Sequence, residues 1–210
     1  MATIASLAVC ESLGGIAAEH PLEITSKTDE ADWEFSLSTF TYLGQYSRDY
    51  VNPNFTADRD WLRLEARYNY EAIKTGSVWL GYNLSAGKKL KFEVTPMLGG
   101  VFGDITGVAP GYMISIGYKQ LEFSTQGEYF FDAGTRAGDF FYSWSELSYS
   151  PTGWFRIGGV AERTQAIRSD SDVRRGPLIG FKYRKIDWTA YWLSPGSKEA
   201  TFVFGTNVNF

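Results

Sequence analysis

The sequence predicts an all-β chain that closes into a single antiparallel transmembrane β-barrel of about twelve strands, with ten as the alternative count. Three observations carry that expectation. From Trp33 to the C-terminus the chain falls into segments that alternate apolar and polar side chains with period two. The links between those segments alternate between tight and long. Aromatic residues make up 17% of the chain and stand among 22 glycines, a composition of sheets and tight turns rather than helices. No run of about 18 apolar residues offers a spanning helix. The mean hydropathy of −0.22 is what strands facing lipid on one side and a polar lumen on the other would average to.

The segments follow in chain order. Residues 33–43 open the series. Residues 61–72 show the split most clearly, with Leu62, Leu64, Ala66, Tyr68 and Tyr70 on one face and Arg63, Glu65, Arg67, Asn69 and Glu71 on the other. Such a strand separates two different solvents. Residues 77–85 come next, then 90–102, where Leu90, Phe92 and Val94 oppose Lys91, Glu93 and Thr95. After residues 108–119, the segment 121–132 sets Leu121, Phe123 and Tyr129 against Glu122, Ser124, Gln126 and Glu128. Residues 140–150 are less regular, because Phe140, Tyr142 and Trp144 share a face with Glu146. Beyond Trp154, Phe155 and Ile157 oppose Arg156 and Glu162; beyond Pro177, Ile179, Phe181 and Tyr183 oppose Lys182 and Arg184. Residues 186–193 and 201–210 complete the set.

That series gives an odd number of strands, and an antiparallel barrel needs an even one. Residues 22–27 are the expected supplement; otherwise ten strands close and residues 33–43 serve another purpose. The stretch 45–60, which contains Pro53, receives no strand in this reading. Tight links fall at 184–185, 151–153, 119–120 and 86–88, and longer polar ones at 195–199, 165–174, 133–139, 103–107 and 73–76. Short turns on one rim and long loops on the other are the pattern of membrane barrels.

The alternation assigns Arg63, Glu65, Arg67, Glu93, Glu122, Glu128 and Lys182 to the lumen, where charges of both signs pair across strands. A plugged or very narrow lumen is expected. Tyr42, Tyr68, Tyr70, Tyr82, Tyr118, Trp154, Tyr183, Trp188 and Trp192 are expected in outward aromatic belts. Residues 1–20 read as a signal remnant or tail, and residues 21–210 as the single barrel domain. A secretory signal cleaved after Ala17 or Ala18 fits the small apolar run, although Glu11 interrupts it and no Lys or Arg precedes it.

Several chemistries are not expected. The single histidine, His20, precedes the barrel, so serine activation and acid–base cycling lack a base near neutral pKa. Cys10 is alone, which rules out an internal disulfide and a Cys/His metal cluster. Gly87, Lys88 and Lys89 miss the spacing of a phosphate loop, and Asp170 and Asp172 lack the framework of a calcium loop. Glu122 and Glu128 share a face but lie roughly 20 Å apart, too far for a glycosidase pair. Neither cofactor nor metal is expected. With 20 basic and 24 acidic residues, nor is nucleic acid a partner.

The last strand reads Thr-Phe-Val-Phe-Gly-Thr-Asn-Val-Asn-Phe and sets Phe202, Phe204, Val208 and Phe210 on one face. This resembles the C-terminal strand of bacterial outer-membrane β-barrel proteins. The resemblance implies an outer-membrane location, periplasmic termini, contact with membrane lipid and recognition by the barrel assembly machinery. Residues 63–71 and 142–151 are also similar to an uncharacterised family of such porin-like cell-envelope proteins, which implies a fold and no activity. Two functions stay open, a narrow small-solute channel and a non-conducting accessory barrel such as one linked to polysaccharide export. A soluble ligand-binding barrel is the inverted alternative, with its aromatic face indoors. A closed transmembrane barrel is expected to migrate faster on a detergent gel before boiling than after; identical migration would count against it.

Overall fold

The computed structural model describes residues 32–44, 49–134, 138–166 and 171–210. Its strands are β1 (Glu34–Gly44), β2 (Tyr50–Arg59), β3 (Leu62–Tyr68), β4 (Thr75–Tyr82), β5 (Leu84–Ala86), β6 (Leu90–Gly103), β7 (Gly107–Tyr118), β8 (Leu121–Asp132), β9 (Phe140–Thr152), β10 (Phe155–Ala166), β11 (Asp172–Tyr183), β12 (Ile186–Leu193) and β13 (Thr201–Asn209). Each strand pairs antiparallel with its neighbours in sequence, except that β4 and β5 both pair with β6, and β1 pairs with β13 through Leu37 and Val208. The sheet therefore closes on itself. β5 continues β4 beyond Asn83, because Gly81 opposite Met97 and Leu84 opposite Val94 keep one register on β6. The barrel thus has twelve strands, one of them in two pieces.

The strand that restores even parity is β2, which lies within the stretch that sequence reading left unassigned. Asn52, Asn54 and Thr56 face inward and are buried, so its polar face looks like a loop when read alone. Pro53 lies one residue beyond the end of the β2–β3 ladder, which starts at Asn54 opposite Arg67, a ladder end being where proline is tolerated. Residues 22–27, together with Cys10 and His20, lie outside the described residues.

The tight links occupy one rim, at 60–61, 87–89, 119–120, 153–154 and 184–185, and the long connections occupy the other. Asp60, Lys119 and Arg184 take φ of 54°, 54° and 55°, the left-handed geometry that two-residue hairpin turns use to match strand twist.

The outer face is apolar. Leu64, Phe92, Phe123, Ile157, Phe181, Phe202 and Phe204 are all exposed there, and Leu62 and Trp188 are half-buried on the same face. This orientation is the opposite of a soluble ligand-binding barrel, which keeps such a face indoors. Tyr82, Tyr118, Trp154 and Tyr183 stand outward at the short-turn rim, and Tyr68 and Trp192 outward towards the other. Tyr42 and Tyr70 depart from the expected belts: Tyr42 is buried in the lumen and Tyr70 packs against the lumen cluster.

The lumen is filled by two clusters. Phe40, Tyr42, Tyr142, Trp144, Val160, Leu178, Tyr191, Leu193 and Val203 form one, and Trp79, Met97, Val101, Ala109, Met113 and Phe130 the other. Both clusters come from inward positions, and their polar edges find partners indoors. The Trp79 indole donates to Ser77 Oγ at 3.0 Å, the Trp144 indole to Glu146 Oε1 at 2.8 Å, and the Tyr191 hydroxyl to the same oxygen at 2.9 Å. Room for these rings is made by glycines on the neighbouring strands. A Cβ at Gly99 would stand 2.5 Å from the Trp79 ring, and one at Gly205 2.8 Å from the Phe40 ring. Gly99→Ala is expected to destabilise the barrel by about 1–3 kcal/mol through overpacking, measured by denaturant unfolding in detergent micelles, whereas Gly100→Ala, where nothing lies within 4 Å, is expected to leave the midpoint in place.

Candidate functional site

The site is a charged constriction built on β3. Period-two alternation turns Arg63, Glu65 and Arg67 into the lumen while Leu62, Leu64 and Ala66 turn out. Arg67 is the centre of the arrangement. Its Nε donates to Glu65 Oε1 at 2.8 Å, and its Nη1 reaches Glu128 Oε2 on β8 at 3.1 Å. Strands β4, β6 and β7 separate β3 from β8 in the sheet, so this bridge is a chord across the lumen rather than a bond along the wall. The guanidinium carbon also lies 4.3 Å from the ring centres of both Tyr70 and Trp79. A planar cation held by two rings and two carboxylates is a fit that lysine could not reproduce.

Tyr70 belongs to the connection between β3 and β4, and its side chain reaches into the lumen. Its hydroxyl accepts from Gln126 Nε2 at 3.1 Å, and its ring packs edge-on against Tyr142 at 5.7 Å. Burial pushes the phenol well above its ordinary pKa, so it stays a neutral hydroxyl.

From Arg67 a polar chain runs towards the short-turn mouth. Glu65 accepts from Asn54 Nδ2 and from Arg63 Nε, Arg63 Nη1 pairs with Asp58 at 2.8 Å, and Asn83 links Asp58 to Thr95. The chain ends in a cavity of about 450 Å³ whose charged lining is Asp32, Glu34, Asp58, Asp60 and Glu93 with Arg63. The mouth is therefore acidic. On the other wall Arg156 bonds Glu146 at 3.5 Å and Thr189 at 2.6 Å, Arg174 pairs with Glu162 at 2.7 Å, and Lys182 with Asp187 at 3.8 Å.

The structure brings Arg63, Glu65, Arg67 and Glu128 together at the constriction. Glu93 lines the cavity, Glu122 accepts from Ser115 Oγ at 3.3 Å beside it, and Lys182 stands apart with Asp187. Sequence reading did not single out Asp58, Tyr70 or Trp79 as part of this site. Asp58 lies on the unassigned strand, Tyr70 is expected in an outward belt, and Trp79 stands in a segment whose faces the alternation does not assign. Phe202, Phe204 and Phe210 are exposed on the outer face, with Val208 half-buried on the same side.

No family model matches the chain, and comparison with curated proteins finds no relative. Solved structures do match. The KdgM porin aligns with a TM-score of 0.61 at 11% identity, over 83% of this chain and 99% of its own. The barrel shares that porin's fold. A structure described as the KdgM porin in complex with disordered oligogalacturonate aligns with a TM-score of 0.59 at 10% identity, over 83% of this chain and 99% of that one. The Acinetobacter baumannii outer membrane protein Omp33 aligns with a TM-score of 0.51 at 7% identity, over 87% and 100%.

Arg67→Ala strips Glu65 and Glu128 of a shared buried cation and is expected to cost about 3–5 kcal/mol. Arg67→Lys is expected to recover only part of it, since an ammonium cannot fill the slot between the rings. Chemical unfolding of the purified barrel in micelles reads both.

Proposed function

We propose that the chain is a bacterial outer-membrane barrel that passes small neutral or cationic solutes through a narrow lumen held shut at rest by side chains. One observation carries the reading: the polar chain from the acidic mouth stops at a chord of side chains, Arg67 to Glu128, and not at a wall of backbone. Side-chain rotation can open such a chord without breaking the sheet. The porin fold shared with the KdgM and Omp33 structures supports the same placement, as does the apolar outer wall with aromatic residues at both rims. The C-terminal strand, with Phe202, Phe204, Val208 and Phe210 outward, suits recognition by the barrel assembly machinery. The long loops then face the exterior and the termini the periplasm.

The charge of the mouth bears on the solute. Carboxylates outnumber Arg63 around the cavity, which repels anions and disfavours acidic saccharides of the kind named in the KdgM complex. No residue in the lumen is assigned a catalytic step. A second reading, a non-conducting accessory barrel, is favoured by the two ring-rich clusters that fill the lumen.

Single-channel recording in planar bilayers separates the two. The channel reading expects small discrete steps, a reversal potential in a KCl gradient that favours potassium, and a larger step in Arg67→Ala. Asp60→Asn with Glu93→Gln is expected to reduce the potassium preference. A silent membrane containing correctly folded protein would sink the channel and leave the accessory role.

A further inference from the structure

Among the described residues, the outward positions of the strands carry charge only at Arg59, Arg163 and Arg175. Arg59 ends β2 at the short-turn rim, where its guanidinium lies 5.8 Å from the Trp33 ring centre. The other two stand together near the long-loop rim. Arg163 pairs with Val173 and Ala161 with Arg175 across β10 and β11, so the two arginines are diagonal neighbours on one face, about 7–8 Å apart at the backbone. Arg163 leans towards the rim, its Nη2 donating to Gln165 at 2.6 Å and its Nε to Ser171 at 3.1 Å. Arg175 is exposed and its guanidinium has no partner among the described residues.

The wall beside them is unlike the rest of the outer face. Ser143 stands opposite Arg163, and Ser145 opposite Ala161. Thr125 and Ser145 share a hydrogen bond of 2.9 Å. Gly159 and Pro177 lie next to them on β10 and β11. Where much of the outer face presents Phe, Leu or Ile, these positions present hydroxyls and small side chains, a strip of low bulk that runs from the arginines towards the middle of the wall.

We propose that Arg163 and Arg175 clasp the phosphate of a phosphorylated lipid whose acyl chain lies along the strip of small residues Ser143, Ser145, Gly159 and Ala161. Charge complementarity decides the occupant. Among the described residues neither guanidinium meets a carboxylate, and a cation on a lipid-facing wall is unfavourable unless its head reaches an anion at the headgroup level. Phosphate is the anion that a membrane supplies there, and it accepts bidentate bonds from the planar arginine fork. The site rests on the outer-membrane placement proposed above, under which the long-loop rim faces the outer leaflet.

Native mass spectrometry of the folded full chain in dodecyl maltoside tests it, with bis-phosphorylated lipid A as the probe. The wild type is expected to retain one lipid, Arg59→Gln to behave like it, and Arg163→Gln with Arg175→Gln to lose apparent affinity at least tenfold. Lipid A stripped of its phosphates is expected to show the same loss on the wild type. Undiminished retention by the double variant, or equal retention of the dephosphorylated lipid, would overturn the proposal. So would inorganic phosphate binding as tightly as the lipid. A dimer that the double variant dissolves would assign the patch to a second copy of the chain instead. Faster gel migration before boiling, after folding into phosphatidylcholine vesicles, is read on the same preparations. If the wild type fails to fold there, the membrane placement falls together with the site; if it folds and retains no lipid A, only the site falls.

Discussion

Closure is the constraint on which the rest of this barrel depends. An apolar outer face removes water as a partner for the backbone, so every strand must find its N–H and C=O partners on both sides. An open sheet would leave two unpaired edges, and the pairing of β1 with β13 removes them. That pairing in turn requires an even strand count. β2, with a proline and the inward polar residues Asn52, Asn54, Thr56 and Asp58, belongs to the wall because the sheet cannot close antiparallel without it, whatever its own propensity.

Closure also encloses a volume that has to be filled. Large apolar side chains crowd the outer face, yet the lumen receives rings as well, since polar side chains alone would leave voids. Phe40 over Gly205 and Trp79 over Gly99 show the device, a large ring on one strand and a bare backbone on the next. Trp79 then serves twice, filling space and forming one side of the slot that holds Arg67. Packing and charge are therefore coupled at the constriction: the ring that fixes the guanidinium is seated by a glycine two strands away from Arg67.

The lumen charges illustrate how burial selects arrangement. Glu65, Arg67, Glu128, Glu146 and Glu162 are all buried, and a buried charge without a counterpart is costly. Each has an ionic partner of opposite sign, across neighbouring strands in the case of Arg174 and Glu162 and across the lumen in the case of Arg67 and Glu128. The acidic excess collects at the mouth, where solvent can hydrate it.

The amino-acid sequence by itself determined the class of the fold, the two-faced strands and the sorting of short turns from long loops, because these are local properties. Alternation is written within each segment, and turn residues within each link. It also placed Arg63, Glu65, Arg67 and Glu128 on polar strand faces. It did not settle which face of β9 or β1 looks inward, since Tyr142 and Trp144 share a face with Glu146, and Phe40 and Tyr42 one with Ser36 and Ser38. Period two separates the faces of a strand without naming the solvent of each. Only the tertiary structure decided that, together with the membership of β2 and the partner of Arg67. Glu128 lies 61 residues further along the chain, and nothing local to either residue encodes the curvature of the closed sheet that brings their side chains within reach.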